Sequence, residues 1–267
     1  MPLSDDLAQM VGLQQSLDRI PQALRGAARS CRAPVVGAYH ITCSDESEQE
    51  CAAVFDRELV RPLLPELKYW RQSAFRTANL GARYETGALA IAEEHYATPE
   101  SARDHKLLVV KLNSHVSLVH AEDGVHYGRM TRYDRECVYC GALTALLSGS
   151  DAGFARALRH TIGDVRLDVL RAADPDTRAL SVAIVNTRLQ GERVLAAIRA
   201  HTPHTPTRYL IAAAVTLNQQ GRDDAELPVA FWSVELDGTI RHAGLSADPA
   251  RHRFGADRAG GLIVTES

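Results

Sequence analysis
Apolar residues fall at helical spacing between residues 5 and 30: Leu7, Met10, Val11, Leu13, Leu17, Ile20 and Leu24. This predicts one or two amphipathic helices, with Pro21 suited to begin the second. The pattern then changes. Ala33-Pro34-Val35-Val36-Gly37-Ala38-Tyr39-His40-Ile41-Thr42 is a nearly unbroken apolar run, read as a buried strand, and Cys43-Ser44-Asp45 stands at its C-terminal mouth. Residues 47–64 return to helical spacing. Val54, Phe55, Leu59 and Leu63 share a face, Glu48 and Glu50 suit the positive end of the dipole, and Pro62 and Pro65 should stop the helix.

Further on, Gly87–Ala92 is a small-residue apolar stretch, and Leu107–Val119 reads as a strong strand with His115 inside it. Asp123-Gly124 predicts a hairpin from that strand to residues 125–130. Cys140-Gly141-Ala142-Leu143 looks like a helix start, broken later by Gly149-Ser150-Asp151. Helices are expected at 153–171 and 187–201. Strands are expected at 178–185, 208–216 and 228–235, and Asp237-Gly238 should turn into a short last strand. Helical and strand patterns interleave throughout. The fold class expected is α/β, a central sheet flanked by helices, as a single domain over residues 1–267 with N-terminal helices at about 5–30 and a core at about 31–245.

Composition narrows the function. Hydrophobic residues make up 45% of the 267 and charged residues 24%, an ordinary balance for a globular protein, and a net charge of −3 lacks the basic excess of a nucleic-acid binder. No apolar run reaches the ~18–20 residues of a membrane span. The first residues lack the basic and apolar regions of a signal peptide, so a cytoplasmic protein with reduced thiols is expected. The five cysteines, Cys31, Cys43, Cys51, Cys137 and Cys140, then read as free, metal-bound or catalytic rather than as a disulfide framework.

The candidate chemistry lies at strand ends. In α/β sheets, ligands and metals bind at the C-terminal mouths of the strands. Cys43, His115 and Cys140 would supply two thiolates and an imidazole, the three-ligand set with which catalytic zinc keeps one position for water and acidifies it to a pKa near ~7. Asp45 would be the neighbouring carboxylate, accepting a hydrogen bond from that water or competing for its position. Each of these residues alone also suits a packed core. Cys137-Val138-Tyr139-Cys140 alone also suits a redox pair.

Cys43-Ser44-Asp45 matches the C-x-D of β-carbonic anhydrases, and Cys140-Gly141-Ala142-Leu143 resembles their C-G-A segment. The long spacing from His115 to Cys140 is similar to that of the limiting-CO2-inducible B/C family, a divergent β-type (θ-class) group. The matching order is Cys43-Ser44-Asp45-Glu46, Val60-Arg61-Pro62-Leu63, Asn79-Leu80-Gly81-Ala82 with Gly87 and His95, Ser114-His115-Val116, Asp123-Gly124, then Cys140-Gly141-Ala142-Leu143. Tyr209–Leu217 and Val229–Ile240 resemble the family's last strands. The resemblance runs from about residue 10 to 245. It implies a β-carbonic-anhydrase-like sheet, usually in a homodimer, with Zn2+ held by Cys43, His115 and Cys140. It also implies reversible hydration of CO2 to bicarbonate by zinc-bound hydroxide, with Asp45 near the metal.

One departure matters. β-class enzymes pair this aspartate with an arginine two residues on, where this chain has Ser47. Arg83 or Arg76, flanking Asn79-Leu80-Gly81, is the expected substitute. Without such a partner Asp45 would ligate zinc and close the site, leaving a catalytically silent zinc-binding homologue that serves as a bicarbonate sensor or partner subunit. A Cys137/Cys140 thiol oxidoreductase is the third reading.

Overall fold
The computed structural model describes residues 3–33, 35–64, 73–96, 105–122, 124–132, 135–137, 140–245, 252–256 and 262–266. All structural statements concern these residues. The chain opens with α1 (Asp5–Met10), a two-residue strand β1 (Gln15–Ser16) and α2 (Arg19–Ser30), so the N-terminal helical pattern forms two helices. Then follow β2 (Val35–Cys43), α3 (Glu48–Phe55), a π-helical segment (Asp56–Val60) and α4 (Arg61–Leu63). Next come β3 (Phe75–Asn79), α5 (Ala88–His95), β4 (Lys106–Ala121) and β5 (Gly124–Tyr127). Two short strands, β6 (Met130–Arg132) and β7 (Arg135–Cys137), pair with each other. They precede α6 (Gly141–Leu147), α7 (Gly153–Ile162), α8 (Asp164–Ala172) and α9 (Pro175–Ala200). The last elements are β8 (Thr207–Gln219), β9 (Ala225–Val234), β10 (Ile240–Gly244), β11 (His252–Ala256) and β12 (Leu262–Glu266).

The main sheet has eight strands in the order β1-β9-β8-β4-β2-β3, with β10 paired to β9 and β5 folded back on β4. Strands β3, β2, β4 and β8 are mutually parallel. The chain steps from β2 outward to β3, then returns across β2 to β4 and continues outward to β8. The connections therefore diverge between β2 and β4, and a crevice opens at their C-terminal ends. The predicted α/β class is the class found.

Two apolar layers flank this sheet. One face carries Leu107, Val109, Leu210, Ala212 and Phe231 against Leu7, Ile20 and Leu24 of the N-terminal helices, Phe55 of α3 and Leu59 of the π-helical segment. The other carries Tyr39, Ile41, Val110, Leu112, Ile211 and Trp232 against α5–α9. Each fully buried aliphatic or aromatic side chain contributes about 1.5–3 kcal/mol of transfer free energy. Close approach is required at Gly191 of α9, where a Cβ would stand 2.5 Å from the Trp232 ring.

Three expectations change. Residues 178–185 are not a strand but the first half of α9, a single helix of 26 residues. Leu180, Val182, Ala183, Ile184 and Val185 are all buried, so this half of the helix is covered all round and has no polar stripe to mark its period. The predicted helix over 153–171 is two helices, split at Gly163, whose φ of 84° is left-handed. β10 is not the last strand, since β11 and β12 form a separate hairpin. Pro65 and Asp123, two signals used above, lie outside the described residues.

Candidate metal centre
Register places the first two candidate ligands. Thr42 of β2 lies beside Asn113 of β4, so Cys43 ends β2 and His115 is the first β4 side chain beyond that end. β4 continues past β2, held by β8, where His115 pairs with Thr216. The third ligand comes from the far side of the crevice. Cys140 is extended (φ −82°, ψ 129°) and stands at the N-cap of α6, whose first free N–H groups, on Ala142 and Leu143, favour its thiolate. The ligating atoms of Cys43, His115 and Cys140 all lie within 4.8 Å of one another, and all three residues are buried. The two sulfurs are 3.9 Å apart.

Hydrogen bonds brace each ligand. The Gly81 N–H donates to Cys43 Sγ at 3.4 Å. His115 Nδ1 lies 3.0 Å from Asn218 Oδ1 and 3.1 Å from Ser47 Oγ, which leaves Nε2 for a metal. The Cys140 thiol hydrogen-bonded to Cys43 holds the Cys43 thiol well below its ordinary range, and the bond and charge of His115 add to this against the cost of burial. The same shared proton, with burial, pushes Cys140 up. Burial alone would push His115 down. Its hydrogen bond to Cys43, with the negative charges of Glu48 and Cys43, outweighs burial and raises it to about 9. The metal-free site is thus a thiolate–imidazolium pair beside a thiol.

Asp45 forms the partly exposed rim of this cluster. Its Oδ1 accepts from the Ser47 N–H at 3.1 Å and from the Ser47 hydroxyl at 2.9 Å. Its Oδ2 lies 3.8 Å from His115 Nε2, on the ligand side. The arginine partners expected from the sequence are corrected here. Arg76 bonds Asp56 at 3.0 Å, because the π-helical segment turns that carboxylate toward β3, where it also takes the Ala74 N–H. Arg83 faces Glu85 at 4.0 Å. Ser47 holds Asp45 in their place.

Behind the ligands lies a buried polar belt between the sheet and α3. Glu48 accepts from Thr42 at 3.1 Å, from Thr216 at 3.3 Å and from Asn113. Burial raises its carboxyl to about 8. Lys111 and Glu226, both fully buried, pair at 2.5 Å, with Cys51 Sγ 3.1 Å from the ammonium. Sequence reasoning missed Glu48 and Asn218 as parts of the site. The signal was present in Lys111, Asn113, Ser114 and His115, polar residues inside a strand otherwise made of Leu and Val. The side chain of Cys137 lies outside the described residues, and His95 is exposed against Phe75.

The class defined by fold and site is therefore an α/β protein with a buried Cys–His–Cys group, able to hold a metal ion, at the crevice of a mostly parallel sheet. No family model matches the chain, and no curated protein matches its sequence. Solved structures do match. PtLCIB4, a homolog of the limiting CO2-inducible protein LCIB, superposes with a TM-score of 0.65 at 12% identity, over 90% of this chain and 99% of that one. LCIB itself superposes with a TM-score of 0.54 at 13% identity, over 92% of this chain and 100% of that one. The chain has the fold of the limiting-CO2-inducible proteins, the fold that the sequence resemblance implied.

Proposed function
We propose that the chain is a zinc-dependent carbonic anhydrase, interconverting CO2 and bicarbonate. The observation that carries this reading is the convergence of Cys43, His115 and Cys140 to within 4.8 Å at the sheet crevice. Two sulfurs and one imidazole are a donor set that suits zinc and leaves a position open. Zinc, when bound, supplies a Lewis acid that activates water at neutral pH. The protein's part is to hold the donors and place a carboxylate. Asp45 Oδ1 is occupied by Ser47, so Oδ2 is the oxygen turned toward the reacting position, where it accepts a hydrogen bond. The reading takes the chain as one domain acting as a homodimer in the cytoplasm. The reading includes no nucleic-acid partner, and no described helix is long and apolar enough to cross a membrane.

A second reading has its own observation. With Ser47 in the place of an arginine, no arginine or lysine among the described residues draws Asp45 away from the ligands. A closed site of this kind would make a silent zinc-binding homologue that senses bicarbonate or serves as a partner subunit. Metal analysis paired with stopped-flow CO2 hydration separates the two. The enzyme reading expects about one zinc per chain and hydration activity at pH 7–9, with zinc lost in both Cys43→Ser and His115→Ala. Zinc-loaded protein inactive across that range refutes catalysis, and zinc retained in both variants refutes the ligand set.

A further inference from the structure
The metal centre reaches further than its three ligands. Asn218 is buried near the end of β8, two residues past Thr216, the β4-facing partner of His115. Its Oδ1 lies 3.0 Å from His115 Nδ1, and its Nδ2 donates to Asp224 Oδ2 at 2.9 Å. The other oxygen of Asp224 accepts the Gln219 N–H at 3.0 Å, which fixes that carboxylate in the β8–β9 turn.

Donor and acceptor roles follow in sequence. A carboxylate only accepts, so Asn218 must turn its NH2 to Asp224 and its carbonyl to His115. Nδ1 facing a carbonyl must carry a hydrogen. Ser47 gives the same answer independently. Its hydroxyl proton goes to Asp45 Oδ1, so its oxygen can only accept from Nδ1. Two carboxylates, each acting through one intermediary at Nδ1, therefore leave Nε2 as the metal-binding nitrogen.

We propose that Asn218, oriented by Asp224, is a positioning residue that fixes the tautomer and ring angle of His115 and so sets the metal affinity of the site. The inference rests on the Cys43–His115–Cys140 metal reading and extends it to the β8–β9 turn. Outer partners of metal-bound histidines typically change affinity ~10–100-fold when removed.

The test is zinc affinity of the full chain by competition with a chromophoric chelator, alongside Co2+ absorption and the unfolding midpoint of the metal-free protein. Asn218→Ala should weaken zinc ~10–100-fold while the thiolate-to-cobalt bands persist, since both cysteines still ligate. Asp224→Asn, which lets the Asn218 amide turn over, should fall between that variant and the wild type. The exchanged pair N218D/D224N keeps an acceptor facing His115 and a donor between the two side chains, and should restore wild-type affinity. Affinity of Asn218→Ala within about twofold of wild type overturns the inference. So does a double variant as weak as Asn218→Ala, or an affinity loss that merely tracks a fallen unfolding midpoint. Affinity alone decides, so missing CO2 hydration counts against the proposed function and not against this inference. A wild-type chain that binds no zinc overturns both.

Discussion

Zinc binding at pH 6, where a zinc-bound water with a pKa near ~7 keeps its proton, should expel about two protons per ion, because the metal-free site already holds one of its three ligands deprotonated. Cys43 is the thiolate, stabilised by the Cys140 thiol and His115. Zinc must therefore displace one proton from His115, raised to about 9, and one from the Cys140 thiol, which its partner and burial push up. At pH 7.5 the imidazolium sits about 1.5 pH units below its midpoint, so freeing Nε2 costs about 2 kcal/mol, or ~30-fold in affinity. The sign follows from competition. Protons and zinc want the same lone pairs, so affinity rises with pH, by about two decades per pH unit below the pKa near ~7 of a zinc-bound water, whose ionisation adds to the slope above it. Calorimetric titration in buffers of equal pH and different ionisation enthalpy counts the released protons. A value near three would mean that Cys43 is a thiol in the metal-free protein. A value near one would mean that His115 is neutral there. Either result refutes the charge assignment.

Three further perturbations test other parts of the structure. Ser47→Arg places a guanidinium beside Asp45 and should draw Oδ2 off the reacting position, so the enzyme reading expects a lower CO2 hydration rate in a stopped-flow assay; a raised rate refutes the role given to Asp45 and favours the closed-site reading. Lys111→Met strands the Glu226 carboxylate in the sheet and should cost about 3–5 kcal/mol in urea unfolding, whereas removing both charges should cost far less. A single variant losing under about 1 kcal/mol would show that this pair is not dry. Gly191→Ala drives a methyl group into the Trp232 ring and should cost about 1–3 kcal/mol, read as a lowered Tm; a neutral result would refute the close packing of α9 on β9.

Legibility in the sequence followed burial. β2, β4, β8 and β9 were readable because central strands are apolar on both faces, and their runs of Val, Leu, Ile and Ala are long. The same property hid the start of α9, since a helix covered all round also lacks a polar stripe. β1 has only two residues and exists through its pairing with β9, which no local pattern encodes. The Cys43–His115–Cys140 group was readable because thiols and an imidazole at the ends of apolar runs are chemically conspicuous. Ser47 was noticed as the residue standing where an arginine is expected, and its grip on Asp45 comes from a turn of two residues. Asn218 and Asp224 resemble any polar strand-end and turn residues until the parallel register brings β8 alongside His115. The arginine assignments failed because the π-helical segment, invisible as a pattern, supplies Arg76 with Asp56.

Two ligands ride on adjacent strands of one ladder, and the third caps a helix of seven residues. A strand cannot slide by a fraction of a residue without breaking its hydrogen bonds, so the spacing of Cys43 and His115 is stiff. A helix can pivot or advance by a few tenths of an ångström at little expense. The mechanical compliance of the centre therefore resides in α6, which makes that helix the jaw and the sheet the anvil. Differences in ionic radius between metals should be absorbed by movement of Cys140, and packing changes beneath Leu143 and Leu146 should tune which ion is gripped most tightly.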